Sequence, residues 1–195
     1  MSTAARTRYS VVAIVLHWTI ALALIALLAA GLWMTSAIRT PGSQALAYEV
    51  YQLHKSLGLV VLALSLLRLG WRLLNPPPPL PEAMTGVERV AAHAAHLAFY
   101  ALMIGMPLVG WAMVSASPLG LPTIVFGLFE WPHIGWLAGL EDKAAAEAAL
   151  KAAHRYMGYG LIGLIVLHVG AALKHHVVDR DDVLARMLPV ARRRV

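Results

Sequence analysis

Four long apolar segments restrict what this chain can fold into. They run over about residues 10–34, 50–74, 87–116 and 150–178. A helix needs about 20 residues to cross a hydrocarbon core of about 30 Å, and each segment is long enough. Because a chain in lipid must satisfy its backbone polar groups internally, helices are the expected form. The sequence therefore predicts an all-α integral membrane four-helix bundle with up-down-up-down connections, in which residues 1–195 form a single membrane domain.

Composition supports this class and limits the chemistry. Hydrophobic residues make up 59% of the 195 residues and charged residues 13%, whereas soluble domains carry about 25% charged residues. The chain has no cysteine. Disulfides, thiolate metal sites and covalently attached haem are therefore excluded.

The connections between the segments contain helix breakers and interfacial residues. "RTPGSQ" (39–44) and "NPPPPLP" (75–81) separate the first three segments. The longest connection follows the third segment and contains Trp131 and Trp136, which are typical of a membrane–water interface. "EDKAAAEAALKAAH" (141–154) predicts a short periplasmic helical segment that begins outside the lipid and continues into the fourth span.

The basic residues are distributed unequally between the two sides of the predicted bundle. With the N-terminus inside, eleven lie on the inner side and five on the outer side. The inner set is Arg6, Arg8, Arg68, Arg72, Arg89, Lys174, Arg180, Arg186, Arg192, Arg193 and Arg194, and the outer set is Arg39, Lys55, Lys143, Lys151 and Arg155. The positive-inside rule then predicts N-in, C-in orientation. Five acidic residues lie on each side, so the net charge of +6 is on the inner side. We expect the tail "ARRRV" to attract anionic lipid rather than nucleic acid.

Histidines recur at helical spacing within the apolar segments. His154 and His168 are fourteen residues apart, and His175 follows seven residues later. Fourteen residues return a helix to within about 40° of its starting direction and rise about 21 Å. One face of the fourth span therefore carries imidazoles near both membrane surfaces. By depth, His17 matches His168 on the inner side and His54 matches His154 on the outer side.

Two imidazoles that face each other across a bundle are the ligands that six-coordinate haem iron requires. A hard cation prefers carboxylates, and no Asp or Glu lies in the middle of a span. An ionisable side chain within lipid is a functional candidate by default. The two pairs are therefore interpreted as metal ligands.

The sequence allows more than one role for several other residues. His93 and His96 either belong to a site or form hydrogen bonds between helices, and His133 is interpreted as a loop residue. Lys174, His175 and His176 fit either a site or an interfacial role. Gly31 and Gly110 are each fourteen residues from a histidine, and they face the core at the outer depth, where a flat ring needs an approach to the backbone. Arg68 has the reach for a haem propionate or a quinone carbonyl.

The sequence resembles a known family through several stretches. These are "IVLHWTIALAL", "YQLHKSLGLVVLALSLLRLGWRL", "AHLAFYALMIGMPLVGWAM", "AAHRYMGYGLIGLIVLHVGAALKHH" and "DVLARMLP". They are similar to the bacterial cytochrome b561 family, four-helix dihaem b proteins of the inner membrane that include superoxide oxidase. The resemblance covers about residues 8–190.

The resemblance implies two haem b groups and a quinone site. The inner haem would be bound by His17 and His168, and the outer haem by His54 and His154. A ubiquinone site would lie at the cytoplasmic end, where the candidate contacts are His175 and Trp18 first, followed by Arg68, His96 and Lys174.

We therefore expect an oxidoreductase of the bacterial inner membrane that transfers electrons from periplasmic superoxide, or another periplasmic donor, to ubiquinone. Lys55, Lys151 and Arg155 either steer superoxide towards the outer haem or are ordinary interfacial cations. One alternative is a non-catalytic relay subunit for a dehydrogenase or hydrogenase. Another is a histidine-lined metal transporter, which the separation of the histidines into two pairs disfavours. Membrane lipid and quinone are the expected partners, and the oligomeric state is not fixed by the sequence.

Overall fold

The computed structural model describes residues 8–81 and 83–189. Within these ranges the helices are α1 (Val11–Ala37), α2 (Gln44–Leu74), α3 (Gly86–Ser115), α4 (Gly135–Ala138) and α5 (Lys143–Lys174). Two short strands, β1 (Thr123–Val125) and β2 (Phe129–Trp131), lie between α3 and α4. A π-helical turn (His175–Asp179) continues α5, and a 3₁₀ turn (Ala185–Met187) follows. The basic tail of the sequence, residues 191–195, lies outside the described residues, as does Arg6.

The four predicted spans are confirmed as α1, α2, α3 and α5, which are long and apolar enough to cross a membrane. α2 begins at Gln44, earlier than the predicted limit of residue 50. α5 begins at Lys143, as expected for a helix that starts ahead of the fourth apolar segment. The Asp142 side chain accepts a hydrogen bond from the Ala145 N–H at 3.0 Å and so caps the start of α5.

Large apolar side chains cover the outside of the bundle. Within the bundle, α1 packs along α2, α3 packs along α5, and α2 contacts α3. Side chains on the outer helix faces are more than half exposed to the surroundings of the protein; examples are Leu22, Leu66, Leu67, Leu97, Val166 and Leu167. Such a surface suits a lipid environment rather than water.

The interior is organised in layers because each long helix turns the same face inwards every seven residues. The middle layer consists of Leu24, Val61, Met103 and Leu161, which are buried together. Seven residues away in one direction lies the inner layer, which consists of His17, Arg68, His96 and His168. Seven residues away in the other direction lies the outer layer, which consists of Gly31, His54, Gly110 and His154. Each helix therefore contributes one residue to every layer.

The two ends of the described chain meet at one end of the bundle, which we call the inner end. A C-terminal strap, residues 180–188, crosses it. The Arg8 guanidinium donates to the Leu188 carbonyl at 2.8 Å, and the Trp18 indole donates to the Met187 carbonyl at 2.9 Å. Arg186 donates to the Pro79 carbonyl at 2.7 Å. The strap thus connects α1 with the proline-rich connection after α2.

The outer connection contains a β-hairpin that the sequence did not predict. β1 and β2 are antiparallel, with Thr123 opposite Trp131. The turn has Phe126 and Gly127 in left-handed conformations, with φ of 48° and 75°. Ile124 N–H donates to the Gln52 side chain, and Phe126 N–H donates to the Ser56 hydroxyl, both at 3.1 Å. The hairpin is therefore attached to α2 beside His54.

Candidate functional site

The outer layer brings the two predicted outer ligands together. The ring centroids of His54 and His154 are 6.3 Å apart, with an interplanar angle of 69°. Two imidazoles on opposite sides of a metal ion, each with a ring nitrogen about 2.0 Å from it, have ring centres roughly 6 Å apart. The spacing of His54 and His154 therefore suits a shared metal.

Two glycines make room for these rings. A Cβ on Gly31 would lie 3.4 Å from Cε1 of His54, and one on Gly110 would lie 3.2 Å from Cε1 of His154. Both glycines thus face the core at the outer depth, as the spacing predicted. The groups that they accommodate in this structure are the imidazoles themselves.

A hydrogen bond orients one of the two outer imidazoles. Nδ1 of His154 lies 3.2 Å from the Met106 carbonyl. A carbonyl only accepts, so this nitrogen carries the proton and Nε2 keeps its lone pair for a metal. Nδ1 of His54 is buried and has no regular hydrogen bond among the described residues. The His154 ring can therefore present Nε2 to the space between the two imidazoles.

The inner layer contains three imidazoles. The ring centroids of His17 and His168, the predicted inner ligands, are 6.2 Å apart. His96 lies 6.1 Å from His168, and its Nδ1 is 2.7 Å from the Ala92 carbonyl. Phe99 packs edge-on against His168 at 5.2 Å. His168 is therefore central, with His17 and His96 beside it.

Trp18 and Arg68 are also adjacent to the inner histidines. The Trp18 ring lies 5.4 Å from the His17 ring. A terminal nitrogen of Arg68 lies 3.1 Å from Nδ1 of His17 and donates to it, since guanidinium has no acceptor. Of the predicted quinone contacts, the structure thus brings Trp18, Arg68 and His96 to the inner layer.

Lys174 and His175 lie in a separate network at the inner end. The Lys174 ammonium contacts Glu88 at 2.8 Å and Asp179 at 2.7 Å, and its side chain is 48% exposed. His175 Nδ1 lies 2.7 Å from a carboxylate oxygen of Asp181. α5 is regular up to Lys174, and the π-turn begins at His175. The contacts recorded for Lys174 and His175 are with this network rather than with the inner layer.

Several residues of the site were missed by the sequence reasoning. Arg72 lies one turn after Arg68, and both guanidinium carbons are 5.9 Å from the Tyr100 ring centroid. The i, i+4 spacing of the two arginines was a visible signal. Gln52 and Ser56, which attach the hairpin, gave no signal, because their partners lie about seventy residues later.

Comparisons with known proteins agree with this architecture. Residues 8–190 match the profile of the family described as prokaryotic cytochrome b561. "Cytochrome b561 homolog 2" of Escherichia coli (strain K12) is 37% identical over 182 residues, which are 93% of this chain and 91% of that protein. "Probable superoxide oxidase CybB" of Yersinia pestis is 32% identical over 189 residues, 95% of this chain and 98% of that protein. The chain therefore belongs to the prokaryotic cytochrome b561 family, multi-pass membrane proteins that bind haem b and transfer electrons.

Proposed function

We propose that this chain oxidises superoxide at the periplasmic side of a bacterial inner membrane and reduces ubiquinone at the cytoplasmic side. Two superoxide anions each lose one electron and become dioxygen, and one ubiquinone takes up the two electrons and two protons to give ubiquinol. The observation that carries this proposal is the pair of facing histidines at each of two depths. The similarity to a probable superoxide oxidase supports the choice of donor.

The proposal assigns one haem b to each histidine pair, His17 with His168 and His54 with His154. The residues present fit such groups, because each pair offers two imidazoles at a suitable spacing and the outer glycines leave space for the rings. The layers contain no carboxylate that would favour a hard cation. When bound, haem b supplies iron that accepts and returns one electron at a time.

Two cations beside the outer histidines would attract the anionic substrate. Lys55 follows His54, and its ammonium donates to the Pro122 carbonyl at 2.7 Å, which holds it beside the hairpin. Arg155 follows His154 and is exposed. Positive charge beside a site raises the local concentration of a small anion and its association rate.

The inner end would bind the quinone and supply its protons. Trp18, Arg68 and His96 offer donors and ring surfaces next to the inner histidines. Arg68 is a donor suited to a quinone carbonyl or to a haem propionate. His175, whose Nδ1 lies 2.7 Å from a carboxylate oxygen of Asp181, would pass protons from the cytoplasmic surface towards the quinone.

The first test replaces the four proposed ligands one at a time with alanine. The purified protein should contain two haems per chain, and each of His17→Ala, His54→Ala, His154→Ala and His168→Ala should lower this number to one. His133→Ala, in the outer connection, is the control and should keep two. Haem is counted by reduced-minus-oxidised visible spectra. Two haems in all four variants would refute the ligand assignment.

A turnover assay then tests the reaction itself. The purified chain, supplied with superoxide and ubiquinone, should produce ubiquinol without another protein. A chain that contains both haems but shows no turnover would instead be a relay subunit of a larger enzyme.

Charge reversal tests the attraction of superoxide. Lys55→Glu and Arg155→Glu should each slow haem reduction by superoxide by about tenfold at low ionic strength. They should also flatten its dependence on salt, because screening then has less attraction to weaken. Lys143→Glu, at the start of α5, is the control for a lost outer cation. The rates are measured by rapid mixing, and unchanged rates in both site variants would remove the steering role.

A further inference from the structure

Arg68 and Arg72 project from the last two turns of α2 towards a single aromatic ring. Both guanidinium carbons lie 5.9 Å from the centroid of Tyr100 on α3. The two arginines are four residues apart, and like charges at this spacing repel each other. The repulsion is stronger where protein and lipid exclude water.

The described residues provide little negative charge for this pair. The ion pairs found among them involve Lys174, His175 and Arg186, but neither Arg68 nor Arg72. The faces of aromatic rings attract cations only modestly. The C-terminal dipole of α2 favours Arg72, which lies in the last turn, but its effect weakens beyond that turn. Within the part of the chain that the structure describes, these two convergent cations therefore lack a full counter-charge.

A cleft opens in front of the two guanidiniums. It is small, about 30 Å³ in volume, and is lined by both arginines together with Tyr9, Trp71, Tyr100 and Met187. Met187 belongs to the C-terminal strap, so the cleft lies at the inner end of the bundle. Polar groups of the arginines and tyrosines share it with apolar ring surfaces.

Arg68 would lose its present hydrogen-bond acceptor if His17 bound a metal. It now donates to Nδ1 of His17. An imidazole that binds metal through Nε2 carries its proton on Nδ1 and cannot accept there. If His17 binds the inner haem iron, as proposed above, Arg68 needs another acceptor, and Arg68 itself lines the cleft beside Arg72.

We propose that Arg68 and Arg72 together bind an oxyanion, a carboxylate or a phosphate, in this cleft. Guanidinium groups match both anions by donating two parallel hydrogen bonds. The anion is supplied either by a propionate of the inner haem or by the phosphate of an inner-leaflet phospholipid. The propionate source rests on the proposed function, whereas the phospholipid source does not.

The test uses two site variants, Arg68→Gln and Arg72→Gln. The control is Arg39→Gln, which also removes one cation but at an exposed position on the outer side. Binding of dioleoylphosphatidylglycerol to the purified holoprotein is measured by native mass spectrometry, with dioleoylglycerol as the lipid that lacks a phosphate. If phospholipid is the source, both site variants should lose about tenfold in affinity for the first lipid. Arg39→Gln should bind as the unmodified protein does.

The second arm examines the propionate. Resonance Raman spectra of the same proteins report the propionate bending band of each haem. If a propionate is the source, this band should shift in both site variants and stay in place in Arg39→Gln.

Either result supports the anion site and identifies its source. If lipid affinity and Raman band both match those of Arg39→Gln, the anion site is wrong. Absence of haem from the unmodified protein would refute the proposed function but leave the lipid arm intact.

Discussion

At the scale of single residues, the outer histidines depend on two glycines on neighbouring helices. Gly31 faces His54 and Gly110 faces His154, each close enough that a side chain would touch the imidazole. Helix stability alone would favour alanine over glycine by about 1 kcal/mol. The glycines are therefore explained by the rings that they face rather than by the helices that contain them.

A valine at position 110 should displace the His154 ring. Its Cβ would lie 3.2 Å from Cε1, and its methyl groups would come closer still. We expect Gly110→Val to lower the haem content from two to about one per chain, because the imidazole can no longer reach the shared position. Gly163→Val is the control, since a Cβ at Gly163 meets nothing within 4 Å. Equal haem content in the two variants would show that Gly110 has no such role.

Some residues of the site followed from the sequence and others did not. His17, His54, His154 and His168 were paired from depth alone, because depth on a helix follows from counting residues. The structure brings the members of each pair together. The ion pair of Lys174 with Glu88 joins different helices over 86 residues. Such a contact depends on side-chain directions that no single segment specifies.

At the scale of elements, one buried serine of α2 helps to hold the outer hairpin. The Ser56 hydroxyl accepts a hydrogen bond from Phe126 N–H at 3.1 Å and lies 3.2 Å from the Ile124 carbonyl. Strands of three residues are too short to give a recognisable alternating pattern. The hairpin was therefore not predicted, because its stability comes from contacts with α2 rather than from its own sequence.

Replacement of Ser56 by alanine should loosen the hairpin. The Phe126 N–H would lose its acceptor, at a cost of about 1–3 kcal/mol. We expect amide hydrogen exchange of residues 123–131 to become about tenfold faster or more. Ser65→Ala is the matched control, because both serines of α2 are fully buried but the Ser65 hydroxyl has no partner among the described residues. Similar exchange in the two variants would contradict the attachment through Ser56.

At the scale of the whole molecule, the three layers explain how four helices build two sites. A step of seven residues keeps the same helix face inwards. The position of an inner-layer residue therefore predicts which residues of the same helix lie in the middle and outer layers. The spans and their histidines were predictable for this reason. The π-turn after α5 and the C-terminal strap were not, because they depend on contacts between ends of the chain that are far apart in sequence.

The middle layer should carry much of the packing stability. Leu161 is 1% exposed in this layer, whereas Leu167 on the same helix is 72% exposed on the lipid-facing surface. Leu161→Ala should lower the free energy of unfolding by about 2 kcal/mol or more, because it leaves a cavity. Leu167→Ala should have a much smaller effect. Thermal unfolding in detergent measures both, and equal losses would mean that the layer is not closely packed.

The apolar middle layer also has an electrical consequence. Leu24, Val61, Met103 and Leu161 offer no group that binds or relays a proton. In the proposed reaction, protons for the quinone would then come from the cytoplasm, and only electrons would cross this apolar layer. Moving one elementary charge across a potential of 100 mV involves about 2.3 kcal/mol. Inward electron flow therefore works against a membrane that is negative inside, so the proposed reaction slows as the cell becomes more energised.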